Sequence, residues 1–283
     1  MGGSQANRKV KIYRWRSPTS VNGNFGDEIT ITILNILFGI QAETVPLEKA
    51  VLIGAGSILD AYWLQQRANG NNGRSTPNCG DLHVWGSGFI HDCSELVWPQ
   101  HVHVHSLRGR LSAQRLNGRE VVLGDPGILA SLLVPTDLRK SASVGFIPHF
   151  KDFAWVSDVL RPLLPHTWKV INPENHVDSV LKDIQRTEIV VSSSLHGLIA
   201  ADSFGIPCVW AKTRLPLYGI NPDYKFYDYA SSRAAVLTGP FSYSELICLA
   251  EADLADLATI AARPIVPWQN QIIDACPADN LLS

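Results

Sequence analysis

The stretch SSSLHGLIAADSFGIPCVW, Ser192 to Trp210, decides the fold. An apolar run, Ile189-Val190-Val191, leads into it and stops at three serines, the pattern of a buried strand ending in a polar turn. Leu195, Leu198, Ile199 and Phe204 then follow at helical spacing, and Gly205 stops the helix. Pro207-Cys208-Val209-Trp210 supplies the next strand. This strand–helix–strand unit puts His196 at or near a helix N-terminus, just beyond the carboxyl end of a strand. Ligands of open α/β sheets bind at that edge. A helix N-terminus also offers an anion free N–H groups and a positive dipole end. An ordinary βαβ unit with a capping serine and a half-buried histidine accounts for the same residues.

Strand–loop–helix units repeat on both sides of this stretch. Upstream, strands are expected at Val10–Trp15, Ala50–Ile53, Leu82–Trp85, His101–Leu107 and Val121–Leu123. After a polar segment, Pro135–Ser143, the pattern restarts with a strand at Val144–Ile147 and a helix from Lys151 to Leu164. A strand at Trp168–Ile171 and a helix from Val177 to Arg186 follow. Two successive α/β halves imply two Rossmann-like domains, 1–138 and 139–283, with a cleft between their strand ends. Glu28–Ile40 alternates like a strand and also steps like a helix. At thirteen residues it is expected to be a helix, with Asp27 near its N-cap. Ser242–Ala262 is expected to be a further helix, and the tail through Cys276 to pack back across the domains.

Composition narrows the function. The chain has 283 residues, 46% of them hydrophobic and 18% charged, which suits a soluble globular protein. Its formal net charge is −2, which gives no basic field for nucleic acid. No apolar run approaches the roughly 20 residues of a membrane span, and Met1–Gln5 shows no signal-peptide pattern. The five cysteines (79, 93, 208, 248, 276) are odd in number and form no CxxC pair, so they support neither a zinc site nor a disulfide framework. A reducing cytoplasm is the expected setting.

Several loops carry candidate chemistry, each beside a plainer alternative. Asn24-Phe25-Gly26-Asp27 is either a turn with a cap or a cleft-facing loop that offers Asp27 for proton chemistry. Gly54-Ala55-Gly56-Ser57 lacks the third glycine and the acidic partner of a dinucleotide fingerprint, so close packing explains it equally well. The polar loop at 67–80 could cover the cleft or touch an acceptor. His101, His103 and His105 share one strand face; without a nearby carboxylate motif they suit a solvated face better than a metal site. Arg108, at a strand end, can fork onto a phosphate or carboxylate, with Arg110 as the fallback. Gly124-Asp125-Pro126-Gly127 is a strong turn signal. The aromatic run Asp223–Tyr229 suits a strand or packed loop.

Taken in order, NFGD, IGAGS, VWGSG, LRG, LGDPG, IPHF, SSSLHG, GIP and KFYDY resemble the polysaccharide pyruvyl transferase family over roughly Asn24 to Tyr229. The resemblance implies a GT-B-like fold, and transfer of the pyruvyl group of phosphoenolpyruvate onto a sugar. It puts Arg108, Ser194, Leu195 and His196 on the donor, with Lys225 as its lysine and Lys212 as the alternative. It makes His196, Asp27 and His149 the candidates for acid–base work, His149 competing with His196 as proton donor. It implies no cofactor and no metal beyond the donor itself. The acceptor is expected to be a lipid-linked exopolysaccharide unit, reached by peripheral contact at the inner face of the cytoplasmic membrane. A nucleotide-sugar glycosyltransferase on the same fold, and a non-catalytic glycan- or anion-binding module, are the competing functions.

Overall fold

Parallel strands cannot be joined by tight turns, so each needs a crossover, and the crossovers bury both faces of the sheet. The apolar runs of this sequence meet that demand. In a computed structural model, residues 9–16, 23–68, 80–91, 98–117, 119–135, 138–214, 221, 223–258 and 264–282 are described. Among them the fold is mixed α/β with two wholly parallel sheets.

The first sheet is built from β1 (Val10–Tyr13), α1 (Phe25–Phe38), β2 (Ala42–Thr44), β3 (Leu52–Ile53), α2 (Leu59–Ala68), β4 (Leu82–Ser87), β5 (Val102–Leu107), α3 (Arg110–Ala113) and β6 (Val122–Leu123). Its strand order is β2-β1-β3-β4-β5-β6. The second is built from β7 (Ala142–Ile147), α4 (Phe150–Trp155), β8 (Trp168–Val170), α5 (Val177–Gln185), β9 (Thr187–Ser192), α6 (Leu195–Ser203) and β10 (Cys208–Trp210), in the order β10-β9-β7-β8. The chain ends in α7 (Tyr224–Ser232), α8 (Tyr243–Leu246), α9 (Glu251–Leu257), α10 (Val266–Asp274) and α11 (Ala278–Leu282).

Burial settles the ambiguous segment after Asp27 as a helix. Ile29, Ile33 and Leu34 of α1 are buried, one helical stripe. Its N-cap is Asn24 rather than Asp27, and the Asn24 side chain accepts from the amides of Gly26 and Asp27. Other boundaries also moved. The helix expected over Lys151–Leu164 is α4, followed by a π turn at Val156–Leu160 and a 3-10 turn at Arg161–Leu163 that contains Pro162. The Ser242–Ala262 segment breaks into α8 and α9, the first closed by a Ser242–Glu245 capping box. Asp223–Tyr229 is helical: it forms most of α7. The polar loop at 67–80 lies outside the described residues except at its ends. The three histidines are not simply solvated. His103 pairs with Asp81 at 3.1 Å, and His105 Nε2 lies 2.8 Å from Nδ1 of His83 on the neighbouring strand. Among the described residues no His, Cys, Asp and Glu cluster is arranged to hold a metal.

One apolar core crosses between the sheets, joining Ile12, Ile33 and Trp85 to Ile147, Val190 and Ile199. The tail returns to the first sheet: Trp85 Nε1 donates to the Ile272 carbonyl at 2.9 Å, and Gln269 Nε2 to that of Ile128 at 2.9 Å. Helix α7 is pinned from both sides. Arg108 Nε donates to Asp228 at 3.0 Å, and both side chains are fully buried. On the other side Asp202 of α6 accepts from Tyr229 Oη at 2.6 Å and from Arg233 Nε and Nη2 at 2.8 and 3.2 Å.

Removing one member of a buried ion pair strands the other in a medium of low dielectric. Asp202→Ala is therefore expected to destabilise the protein by about 3–5 kcal/mol, read as a lower urea midpoint with an unchanged slope. An unchanged midpoint would show that Arg233 and Tyr229 find other partners.

Candidate functional site

A cavity of about 310 Å³ opens where the carboxyl ends of both sheets meet. The loops and helix starts after β1, β3 and β4 contribute Asn24, Asp27, Ser57, Asp60 and His91. Those after β7, β8 and β9 contribute His149, Lys151, Pro173, Ser194, Leu195 and His196, and α7 adds Lys225. This is the edge where open α/β sheets bind ligands, and the volume is that of a small-molecule site.

The serines of SSSLHG divide the labour. Ser192 Oγ donates to the Ile147 carbonyl at 3.0 Å and accepts from the Ser194 amide at 3.0 Å. Ser193 Oγ accepts from the His149 amide at 2.8 Å. These bonds lock the end of β9 to the end of β7. Ser194 is the N-cap of α6, yet its side chain makes no capping bond. The first turn of α6 thus presents uncapped N–H groups in the cavity wall. By contrast, Asn24 caps α1, and His149 Nδ1 accepts from the Lys151 amide at the start of α4.

His196 lies in a slot between the two halves. Its Nε2 faces Asp125 Oδ2 at 3.7 Å, and neither atom has a hydrogen-bond partner among the described residues. Asp125 is fully buried; its other oxygen accepts from the Gly127 amide at 2.8 Å. On the Nδ1 side a glycine is obligatory, because a Cβ on Gly26 would stand 2.2 Å from Nδ1. The NFGD loop and the GDPG turn thus clasp the SSSLHG histidine. The sequence revealed Asp125 only as a turn former. The available signal was an acid at a strand end with one carboxylate oxygen to spare once the turn was capped.

Burial shifts the charges here. Asp27 is raised from the ordinary 3.8 to about 6 by burial, against the pull of His196, Lys225, Arg14 and the Asn24 side chain, which donates to its carboxylate. Lys225 is lowered to about 8 by burial and by Arg108 and Lys151, while Asp27 and Asp223 hold it up. His149 is lowered to about 3 by burial and then by Lys225 and Lys151. At neutral pH it is a neutral imidazole. In that form it still carries one N–H that it can offer to a ligand in the cavity.

Arg108 does not line this cavity. Its guanidinium is fully buried and donates to Asp228, to Ser57 Oγ at 2.7 Å and to the Phe89 carbonyl. All three contacts are internal, so it stands behind the wall and not at the cleft. Arg110 is exposed elsewhere. Of the two candidate lysines, Lys225 lines the cavity, whereas Lys212 is exposed, its amide bonded to the Phe241 carbonyl. Lys151 was missed; it follows the IPHF strand end at the start of α4.

A family model described as polysaccharide pyruvyl transferase matches residues 7–212, and the chain belongs to that family. Among curated proteins it is similar to the succinoglycan biosynthesis protein ExoV of Rhizobium meliloti (strain 1021), at 28% identity over 233 residues, 79% of this chain and 65% of that protein. It is also similar to the uncharacterized protein L143 of Acanthamoeba polyphaga mimivirus, at 34% identity over 140 residues, 45% of this chain and 47% of that protein. The chain thus spans less than two thirds of the length of either relative. The family match ends before Lys225 and Asp228.

The Asp27 shift has a definite sign. Between about pH 4 and 6 the folded state holds a proton that the unfolded state has released, so stability falls as pH rises through that window. Asp27→Asn removes the effect. It is expected to raise stability at pH 7.5 by at most about 3 kcal/mol and to leave it unchanged at pH 3.5. Thermal melts at the two pH values check this; an equal change at both would assign the effect to packing.

Proposed function

We propose that this protein transfers the pyruvyl group of phosphoenolpyruvate to two hydroxyls of a sugar, closing a cyclic ketal and releasing phosphate. One observation carries the proposal beyond family membership. A single cavity collects the uncapped start of α6, Lys151 and Lys225 together with Asp27 and His196. The first set suits a donor that carries a phosphate and a carboxylate. The second suits a reaction that must both give and take protons near neutral pH.

In the proposed reaction Asp27, protonated up to about pH 6, gives its proton to the vinyl carbon C3. That leaves oxocarbenium character at C2. A sugar hydroxyl attacks C2 and yields its proton to His196, which Asp125 orients. The C2–O bond to phosphate breaks, and a second hydroxyl closes the ring. One hydroxyl proton replaces the one placed on C3 and the other leaves with phosphate, so the sum balances. His149 contributes a neutral hydrogen bond to the donor, and Ser194 and Leu195 their main-chain groups. No cofactor is required.

We further propose that the halves 1–138 and 139–283 are two Rossmann-like domains in a GT-B-like arrangement, the first facing the acceptor and the second the donor. The two parallel sheets turning their carboxyl ends to one cavity support this. The similarity to a protein named for succinoglycan biosynthesis supports an exopolysaccharide unit as acceptor, and we take that unit to be lipid-linked. Its lipid would bring the protein into peripheral contact with the inner face of the cytoplasmic membrane. No helix among the described residues is long and apolar enough to cross one.

Phosphate release from phosphoenolpyruvate, with and without a panel of lipid-linked or synthetic glycosides, tests the activity. Acceptor-dependent release is expected. His196→Ala should lower turnover about 10²- to 10⁴-fold, and Lys225→Met should weaken the donor about 10- to 100-fold. No release with any acceptor, with tight binding of a nucleotide sugar, would transfer the assignment to a glycosyltransferase; binding of glycan without any turnover would leave a binding module. Gly26→Ala drives a methyl carbon into the His196 ring, and turnover should fall at least about tenfold while the fold persists. Normal turnover in that variant would show that the slot does not set the ring's position.

A further inference from the structure

A second histidine–carboxylate pair stands in the same cavity, contributed by the first sheet. Asp60, at the start of α2, and His91, just after β4, both line the wall. His91 Nδ1 is buried, has no hydrogen-bond partner among the described residues, and faces Asp60 Oδ1 at 3.7 Å. The other Asp60 oxygen accepts from the Ile90 amide. The carboxylate is thus fixed by the backbone beside the ring it faces.

The strand end carrying His91 is held firmly. The His91 carbonyl accepts from Arg115 Nη2. The Arg115 guanidinium lies 4.0 Å above the Phe89 ring, and the Phe89 amide donates to Ser112 Oγ at 3.2 Å. With Nδ1 turned to Asp60, a proton on Nδ1 leaves the lone pair on Nε2, at the opposite edge of the ring. The ring is 34% exposed and borders the cavity. An imidazole in a cavity wall, with a fixed carboxylate beside one nitrogen, is the arrangement of an oriented general base.

Ketal formation takes a proton from each of two hydroxyls, and His196 accounts for one. We propose that His91 is the general base for the other hydroxyl, with Asp60 as its positioning residue. This rests on the pyruvyl-transfer reading and assigns the acceptor face of the cavity. Nε2 of His91 takes the proton as that sugar oxygen bonds to C2, and the proton then leaves with the departing phosphate. The acceptor class follows: a sugar presenting two hydroxyls close enough to bridge one carbon, one toward His196 and one toward His91.

The test uses the full chain and the glycoside that supports phosphate release. His91→Ala should lower turnover about 10²- to 10⁴-fold and leave the KM for phosphoenolpyruvate within about twofold. Added imidazole should restore at least about a tenth of the lost rate, as a lost base permits and a lost packing contact does not. Asp60→Asn turns an amide donor toward Nδ1 and reverses the tautomer, so turnover should fall at least about tenfold without rescue. His91→Gln serves if the alanine variant melts early. Near-normal turnover in both His91 variants would overturn the proposal and leave pyruvyl transfer standing. So would loss of donor binding together with turnover, or failure of imidazole to rescue. Wild-type protein that releases no phosphate with any acceptor would remove the pyruvyl-transfer reading, and this assignment with it.

Discussion

The buried pair Arg108–Asp228 ties the last helices of the chain to the first sheet. Neither side chain reaches solvent, so every charged atom must find a partner inside. Arg108 bonds to Asp228, Ser57 and Phe89. Asp228 takes the Ser112 amide at 2.9 Å on one oxygen, and Ser112 Oγ at 2.6 Å beside Arg108 on the other. The two elements can approach only because residue 109 is glycine: a Cβ there would lie 1.7 Å from the Asp228 carbonyl oxygen. Helix α7, which follows the last strand of the second sheet, is thereby seated on the end of β5 in the first. Lys225 sits one turn before Asp228, so the lysine of the cavity is placed by contacts that never touch a ligand. The same arginine holds Ser57 in the cavity wall and lowers the affinity of Lys225 for its proton.

Sequence patterning exposed the parts of this design that depend on local chemistry. Apolar runs ending in glycine or serine marked the buried strands, because a parallel sheet buries both faces and its loops turn at the carboxyl ends. His196 was found because a helix start after such a run is a local event, and Asp27 because NFGD is one. Pairings between distant residues were not legible. Arg108 carries the same signal, a strand-end arginine, whether it meets a phosphate or an aspartate 120 positions later; only the fold supplies Asp228. The GDPG turn looked complete as a turn, so its spare carboxylate oxygen was invisible until His196 came to face it. The run DYKFYDY alternates aromatic and polar residues in a way that suits a strand. Its helical form follows from having to point Asp228 toward Arg108 while Tyr229 reaches Asp202.

Pinning α7 on two sides also explains why the cavity tolerates its own electrostatics. A lysine and a carboxyl placed in a poorly solvated wall would relax apart if their elements were free to move. Here α1 is capped by Asn24 and packed into the core that crosses both sheets, and α7 is held by two buried ion pairs. Asp27 and Lys225 therefore keep their positions, and burial is expressed in their proton affinities instead. Rigid surroundings turn a desolvation cost into a pair of groups that change charge near neutral pH.

That state is suited to an anionic donor in a specific way. On the proposed reading, phosphoenolpyruvate brings a phosphate and a carboxylate into the space between Asp27, Lys225 and the start of α6. Negative charge beside Lys225 favours its protonated form, so a lysine held near 8 becomes fully cationic when the donor arrives. The same negative charge disfavours ionised Asp27, whose affinity for its proton rises further above about 6. Both changes run in the direction the chemistry needs: a cation to hold the leaving phosphate and a carboxylic acid that still has its proton. Binding therefore takes up protons at Asp27 above about pH 6 and at Lys225 above about pH 8. Once phosphate leaves the cavity, that bias relaxes, and Asp27 and Lys225 return toward about 6 and about 8.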